Sequence, residues 1–204
     1  MKIINQSCEW IQRPNFPLEI IELAGRTCYK SEDKINQDSS KKFVQTIMKA
    51  GHESVIEHVS ASVRFITNRG VTHELVRHRL CAFSQESTRY VDYQQEMEFI
   101  NPVWRTNEHD EAYDIWEQHM INSEILYNKM RKSGWRPEQA REILPNSLKT
   151  EIVVTANMRE WRHIFKLRTS KAAHPQIRHL MKKCVKMFQN EIPILFDEFD
   201  SKWS

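Results

Sequence analysis

Glycine is scarce in this chain, with four in 204 residues at positions 25, 51, 70 and 134. Phosphate-binding turns of the Gly-x-Gly-x-x-Gly and Walker kinds need closely spaced glycines, because a residue without Cβ lets backbone amides approach a phosphate. Neither turn can be assembled here. A bound nucleotide would have to be gripped by side-chain cations and helix amino termini, and arginine's planar fork is the group best suited to that task. Apolar residues make up 40% of the chain and charged residues 28%, which fits a globular protein and excludes collagen-like, low-complexity and disordered classes. No stretch approaches the roughly 18 apolar residues of a membrane span, and Met1 to Gln6 lacks the apolar core of a signal peptide, so a cytoplasmic protein with no membrane partner is expected. Cys8, Cys28, Cys81 and Cys184 are scattered without a Cys-x-x-Cys pair, which points to reduced thiols rather than a disulfide framework, a thiolate metal site or a redox dithiol.

The net charge of +3 conceals an uneven distribution. Residues 92–124 carry nine acidic groups and one basic group, Arg105, whereas residues 159–186 carry nine basic groups and one acidic group, Glu160. The basic block could receive an anionic ligand, form a solvated face, or serve as a nucleic-acid module. The acidic block and the near-neutral balance speak against nucleic acid as the partner.

Periodicity predicts a helix from Pro17 to about Tyr29 and another over 39–50, with Ser39 or Ser40 as cap and Gly51 as stop. Alternation over 57–67 predicts a strand with one buried face. A short helix over 72–79 is expected to carry His73, Glu74, Arg77, His78 and Arg79, with a polar loop after it. A long helix over 108–133, a helix from Pro137 to about Leu144, a strand over 150–156 and helices over about 159–170 and 175–190 complete the reading, with Pro193 breaking the tail. No internal repeat or linker-like stretch interrupts residues 1–204, so one domain is expected.

Three groups of residues could carry chemistry. Residues 77–90 hold three arginines, a histidine and a run of hydroxyl and amide side chains, an expensive composition for a solvated turn. On a helix, Arg77 and Arg79 would point to roughly opposite sides and serve two anionic partners. Residues 51–58 form a second group, between a helix end and a strand start. Its two histidines, His52 and His58, lack metal-ligand spacing, and His73 and His78, five apart, stand about 140° apart on a helix. No metal site is therefore expected. Arg141, Asn157, Arg159, His163 and Arg168 form the third group. Within it Arg159 and His163 share a helical face, while Arg168 lies about 180° from Arg159. No Gly-x-Ser-x-Gly elbow and no cysteine in a catalytic context is present, which favours chemistry performed by a bound cofactor that the protein positions.

Arg77-His78-Arg79, seven residues and then Ser87, continuing through Ser84-Gln85-Glu86-Ser87-Thr88-Arg89-Tyr90, resembles the signature of the flavin-dependent thymidylate synthases. The resemblance extends to Gly51-His52-Glu53-Ser54, Glu57-His58, Arg141 before Leu144-Pro145, Asn157-Met158-Arg159 and Leu167-Arg168, covering about residues 24–180. It implies an α+β fold with an antiparallel or mixed sheet packed with several long helices. It further implies a homotetramer with active sites at subunit interfaces, FAD as cofactor, and conversion of dUMP to dTMP with methylenetetrahydrofolate as carbon donor and NADPH as reductant. Ser54, Arg77, His78, Arg79, Gln85, Asn157, Arg159 and His163 match flavin positions. Glu74, Arg77, Gln85, Glu86, Ser87, Thr88, Arg89, Arg141 and Arg168 match dUMP positions, and His52 matches the folate and nicotinamide region. The resemblance makes Arg168 the catalytic residue, placed against the uracil carbonyl and imide to favour the anionic ring. Departures from the pattern are Gln85 where some members carry Glu, Ser84 and His163 where others carry Asn, and His174 where others carry Gln. Two other readings compete with this one: the nucleic-acid module, and a flavoprotein of the same fold without synthase activity.

Overall fold

The computed structural model describes residues 1–94, 96–104 and 110–202. In chain order these form β1 (Lys2–Ile4), β2 (Ser7–Gln12), α1 (Pro17–Tyr29), α2 (Ser39–Lys49), β3 (Ser60–Asn68), α3 (Arg69–Leu75), β4 (Ala82–Gln85), β5 (Glu98–Ile100), α4 (Glu111–Lys132), α5 (Pro137–Ala140), β6 (Lys149–Asn157), α6 (Met158–Arg168), α7 (Pro175–Glu191) and α8 (Pro193–Phe196). Short 3-10 turns occupy Glu32–Lys34, Glu53–His58 and Arg141–Ile143. Strands follow the order β2-β3-β6-β4 in one sheet, and β1 pairs with β5 in parallel. The contacts of Met158 N with Val59 O and of Ser62 with Thr155 show that β3 and β6 run antiparallel. Helices of 13, 22 and 17 residues at α1, α4 and α7 accompany these strands, so the architecture is α+β with an antiparallel four-stranded sheet and a small separate parallel pair, which fits the expected α+β class. Among the described residues no helix is long and apolar enough to cross a membrane.

The chain divides into two units. The first contains Met1–Ser7, Phe65–Arg77 and Phe83–Val153, and the second contains Cys8–Arg64, His78–Ala82 and Val154–Ser204, so β3 and β6 each contribute to both. In the first unit, Met97, Phe99, Met120, Tyr127, Ala140 and Leu148 form a core. In the second, Trp161, Phe165, Phe188 and Phe196 meet at centroid separations of 4.9 to 5.7 Å and are fully buried. Aromatic side chains hide about 150–250 Å² each, so these rings dominate the burial energy of that unit. Gly25 serves close packing there, since a Cβ would stand 2.5 Å from the Phe43 ring. Gly51, at φ +73°, ends α2 in a conformation that side chains disfavour.

Several boundaries differ from the sequence expectations. Ser39 does not cap α2. Its hydroxyl goes instead to the buried Glu22 carboxylate at 2.8 Å, which also receives Arg26 at 3.0 Å, because a buried carboxylate must be satisfied. Residues 57 and 58 belong to a 3-10 turn, and the strand begins at Ser60. The short helix starts earlier than 72 because Asn68 caps it, accepting from Val71 N at 2.8 Å, and it ends at Leu75. Arg77, His78 and Arg79 therefore lie beyond the helix in the following turns, and the helical argument about their opposed sides does not apply. The expected polar loop contains strand β4. Residues 108 and 109 of the expected long helix lie outside the described residues, as does Arg105, and the helix starts at Glu111, with Asp110 accepting from Ala112 N and Tyr113 N. Pro193 opens α8, where a break was expected.

Candidate active site

Each unit carries its own cluster of candidate residues. In the first unit they lie along the end of β4 and the turn that follows. Thr72 donates its hydroxyl to Arg69 O at 3.0 Å, so its oxygen can only accept from Gln85, whose Nε2 lies 2.9 Å away. Thr150 Oγ1 lies 3.4 Å from the same nitrogen. This fixes the amide's orientation, with Nε2 rather than Oε1 toward the two threonines. Glu86 is tied down by Tyr93 Oη at 2.5 Å and Lys149 Nζ at 3.3 Å, and its own amide donates to Glu151 O at 2.9 Å. Burial and the Glu86 charge hold the Tyr93 phenol protonated. Ser87 Oγ accepts from Arg89 N at 3.3 Å, Thr88 is buried, and exposed Arg89 lies over the Tyr90 ring at 5.4 Å. Glu74 sits half-buried on the last turn of α3. Arg141 opens a 3-10 turn, with Glu142 3.7 Å away. Arg77 is exposed, with no side-chain partner among the described residues.

The second unit gathers its candidates from distant stretches of chain. Asn157 ends β6 and caps α6, its Oδ1 accepting from Glu160 N at 2.9 Å. At the other end of that helix, Arg168 Nε donates to His78 Nε2 at 3.0 Å. His78 and Glu160 are both buried, with His78 Nδ1 3.4 Å from Glu160 Oε1, and the His163 ring meets His78 edge-on at 5.7 Å. Burial, reinforced by Arg168 and His163, pushes the His78 imidazole down to about 4, so it is neutral at physiological pH. Since Nε2 must offer its lone pair to Arg168, the single ring proton sits on Nδ1, facing Glu160. Burial raises the Glu160 carboxyl, with His163 acting in the opposite direction. The ligating atoms of His78, Glu160 and His163 fall within 4.8 Å of one another, a spacing a metal ion could use. The guanidinium bonded to the same imidazole opposes any cation there.

Beside this cluster lies a cavity of about 1030 Å³ lined in part by Asn157, Arg159, Arg162, His163 and Lys166, so Arg159 and His163 do share a face. Three of the nine basic groups of the block pair with carboxylates of the same unit. Arg159 meets Glu57 at 2.5 Å and Glu53 at 3.8 Å, Arg162 meets Glu53 at 3.2 Å and Glu198 at 2.6 Å, and Lys182 meets Asp200 at 2.9 Å. These pairings neutralise part of the block and weaken it as a polyanion track. Arg79, Ser54 and His52 are exposed, His52 at the amino end of the Glu53–His58 turn. Cys81, near this cluster, is held protonated by burial and Glu160, its thiol pushed up to about 12. Sequence reasoning did not place Thr72, Lys149, Glu160 or Arg162 in these sites. Glu160 had a signal, as the only acid in the basic block, and Thr72 and Lys149 had none.

Residues 10–194 match the family described as thymidylate synthase complementing protein. The chain is 34% identical to a flavin-dependent thymidylate synthase of Corynebacterium aurimucosum, with 88% of this chain and 79% of that protein covered. It is 33% identical to one of Mycobacterium tuberculosis, with 89% and 79% covered. The fold resembles the crystal structure of a UMP/dUMP methylase, PolB from Streptomyces cacaoi, bound with 5-Br dUMP. That comparison has a TM-score of 0.84 at 21% identity and covers 99% of each chain. With its arginine, histidine and glutamine signature lodged in these two clusters and a family match across most of its length, the chain belongs to the thymidylate synthase complementing protein family, that of the flavin-dependent thymidylate synthases.

Proposed function

We propose that this protein is a flavin-dependent thymidylate synthase that methylates dUMP reductively to dTMP, with methylenetetrahydrofolate as carbon donor and NADPH as reductant of FAD. The observation that carries this reading is the family match over residues 10–194 with the Arg77 to Ser87 signature in place. Two of the four thiols agree with chemistry that needs no protein nucleophile. Burial holds Cys81 and Cys184 protonated, and Ser87 Oγ is engaged by a backbone amide rather than by a base.

The residues of the second unit suit a flavin's charged and polar parts. Asn157, Arg159 and His163 line one cavity, and no glycine-rich loop competes for the phosphates. Arg159 is more than half exposed and paired only with surface carboxylates, so a phosphate can take their place. His78, Arg77, Arg79, Ser54 and Gln85 complete the proposed flavin set, and His52 stands for the folate and nicotinamide region. When bound and reduced, the flavin supplies hydride.

Toward dUMP, Arg77, Arg89 and Arg141 supply cations for the phosphate, alongside Glu74, Glu86, Ser87 and Thr88 of the same unit. Gln85 offers Oε1 as an acceptor for a nucleobase or flavin N–H, a role that a neutral amide fills without the charge of a glutamate. Arg168 acts on the pyrimidine as a fixed guanidinium that favours the anionic ring, making it electron-rich enough to accept the carbon unit. Neutral His78 orients that guanidinium without adding a negative charge of its own.

The active unit in this reading is one domain assembled as a cytoplasmic homotetramer with shared sites. The exposure of Leu80 and Tyr90, at 79% and 78%, on either side of the candidate segment supports a covering subunit. Anaerobic turnover of dUMP to dTMP with FAD, NADPH and methylenetetrahydrofolate tests the function, and Arg168→Ala tests the catalytic assignment. Absence of dTMP after FAD reconstitution would overturn the first, and full turnover by the variant the second.

A further inference from the structure

The mechanism above uses Arg168 and leaves unexplained a buried carboxylate at the opposite end of the same helix. Glu160 and Arg168 are eight residues apart on α6, about 12 Å along its axis, so they do not orient one another directly. His78 bridges them from a separate stretch of chain. Its Nε2 accepts from Arg168 Nε at 3.0 Å, and its Nδ1 faces Glu160 Oε1 at 3.4 Å. We infer that Glu160 is a positioning residue that keeps the His78 proton on Nδ1 and thereby keeps Nε2 free to hold the Arg168 guanidinium toward the pyrimidine.

The chemistry of imidazole makes the arrangement all-or-none. A neutral ring has one N–H and one lone pair. With the proton on Nδ1, the ring accepts from Arg168 and turns its N–H side toward the Glu160 carboxylate, 3.4 Å away, an electrostatically favourable contact. With the proton on Nε2, two N–H groups would confront each other at the Arg168 end while Nδ1 turned a lone pair toward a carboxylate. Both contacts would then be repulsive, and His78 and Glu160 are themselves buried. Arg168 and Glu160 both favour the first state, from opposite sides of the ring, and the Glu160 backbone amide is held by Asn157 Oδ1 at 2.9 Å. An outer carboxylate that fixes an imidazole's tautomer is a recognised way to orient the group on the ring's other side. Cys81 does not substitute for it, being a protonated thiol, and His163 presents its ring edge-on.

The inference rests on the reading that Arg168 meets the pyrimidine, but its central claim can be seen without turnover. Neutron diffraction from perdeuterated crystals of wild type, Glu160→Gln and Glu160→Ala shows which ring nitrogen of His78 carries deuterium. Deuterium is expected on Nδ1 in wild type and in Glu160→Gln, whose Oε1 still accepts, and on Nε2 in Glu160→Ala, with Arg168 Nε drawn away. Deuterium on Nε2 in wild type, or on Nδ1 in Glu160→Ala with Arg168 unmoved, overturns the proposal. In the FAD-loaded enzyme, Glu160→Ala is expected to lose at least tenfold in kcat with a smaller change in KM for dUMP, and Glu160→Gln to recover most of that loss. Equal damage from both variants would mark Glu160 as a charge or packing requirement and overturn the positioning role. Should wild type form no dTMP, the functional reading fails, while the neutron maps still decide the tautomer.

Discussion

The two candidate clusters are built in opposite ways. In the first unit, Gln85, Glu86, Ser87, Thr88 and Arg89 follow one another along a strand end and turn, anchored by the hydroxyls of Thr72 and Thr150 and by one lysine. In the second, His78, Glu160 and Arg168 come from separated positions, with His78 and Glu160 buried and Arg168 half-buried. A contiguous cluster keeps the order of its residues from the chain and is held by bonds to other segments, most of them to neutral groups or within reach of solvent. An assembled cluster depends on burial, which makes charge expensive and protonation state part of the structure. Damage to the second cluster should therefore reach catalysis and acid stability together, whereas damage to the first should be milder and more local.

The largest effect is expected from Arg168→Ala. Loss of a preorganised cation at a developing anion should lower kcat by about 10²–10³-fold, measured in anaerobic single turnover with FAD, NADPH, dUMP and methylenetetrahydrofolate. A smaller loss than that of any first-unit variant would break the comparison.

Acid stability comes next. His78 titrates near 6.5 when unfolded and at about 4 when folded. Between those values the unfolded chain binds a proton that the folded chain refuses, so stability falls as pH drops from 6.5 to 4, by about 3 kcal/mol at most. His179, held low by burial and by Lys183, adds to the fall, and Glu160, raised by burial, offsets part of it. Urea unfolding between pH 4.5 and 7 should show this slope in wild type and a flatter one in His78→Gln.

Lys149→Met tests the first unit. It strands Glu86 and Glu151, whose carboxylates lie 3.3 and 2.7 Å from the Lys149 ammonium, and should cost about 1–3 kcal/mol at pH 7. An unfolding midpoint equal to wild type at pH 7 would remove the lysine from the architecture of the site.

Thr72→Val should have the smallest effect. The side chain keeps its volume but loses the 2.9 Å contact that fixes the Gln85 amide, so dUMP should bind about 2–10-fold more weakly by calorimetry. A larger loss than that from Arg168→Ala would invert the ranking of the two clusters.

Legibility in the sequence followed the same division. Helices α1, α2, α6 and α7 and strands β3 and β6 were readable because apolar spacing, prolines at helix starts and Gly51 mark them. Strands β1 and β5, three residues each, are too short to show alternation, and they form by pairing with each other across about 96 residues of chain. The helix before Arg77 was placed too late in the chain because Asn68, which the reading did not take as a cap, starts it at Arg69. Ser39 was misread as a cap because its partner, Glu22, lies on another helix.

The sequence by itself determined the family, the positions of the signature arginines and the absence of glycine-rich phosphate loops, since these depend on residue identity and spacing along the chain. Tertiary structure alone decided that His78 is neutral, that its proton lies on Nδ1, that Gln85 turns its amide nitrogen toward Thr72 and Thr150 and that Glu160 stands behind Arg168. Those are properties of desolvation and mutual contact, and both arise only when segments distant in sequence remove water from around one another.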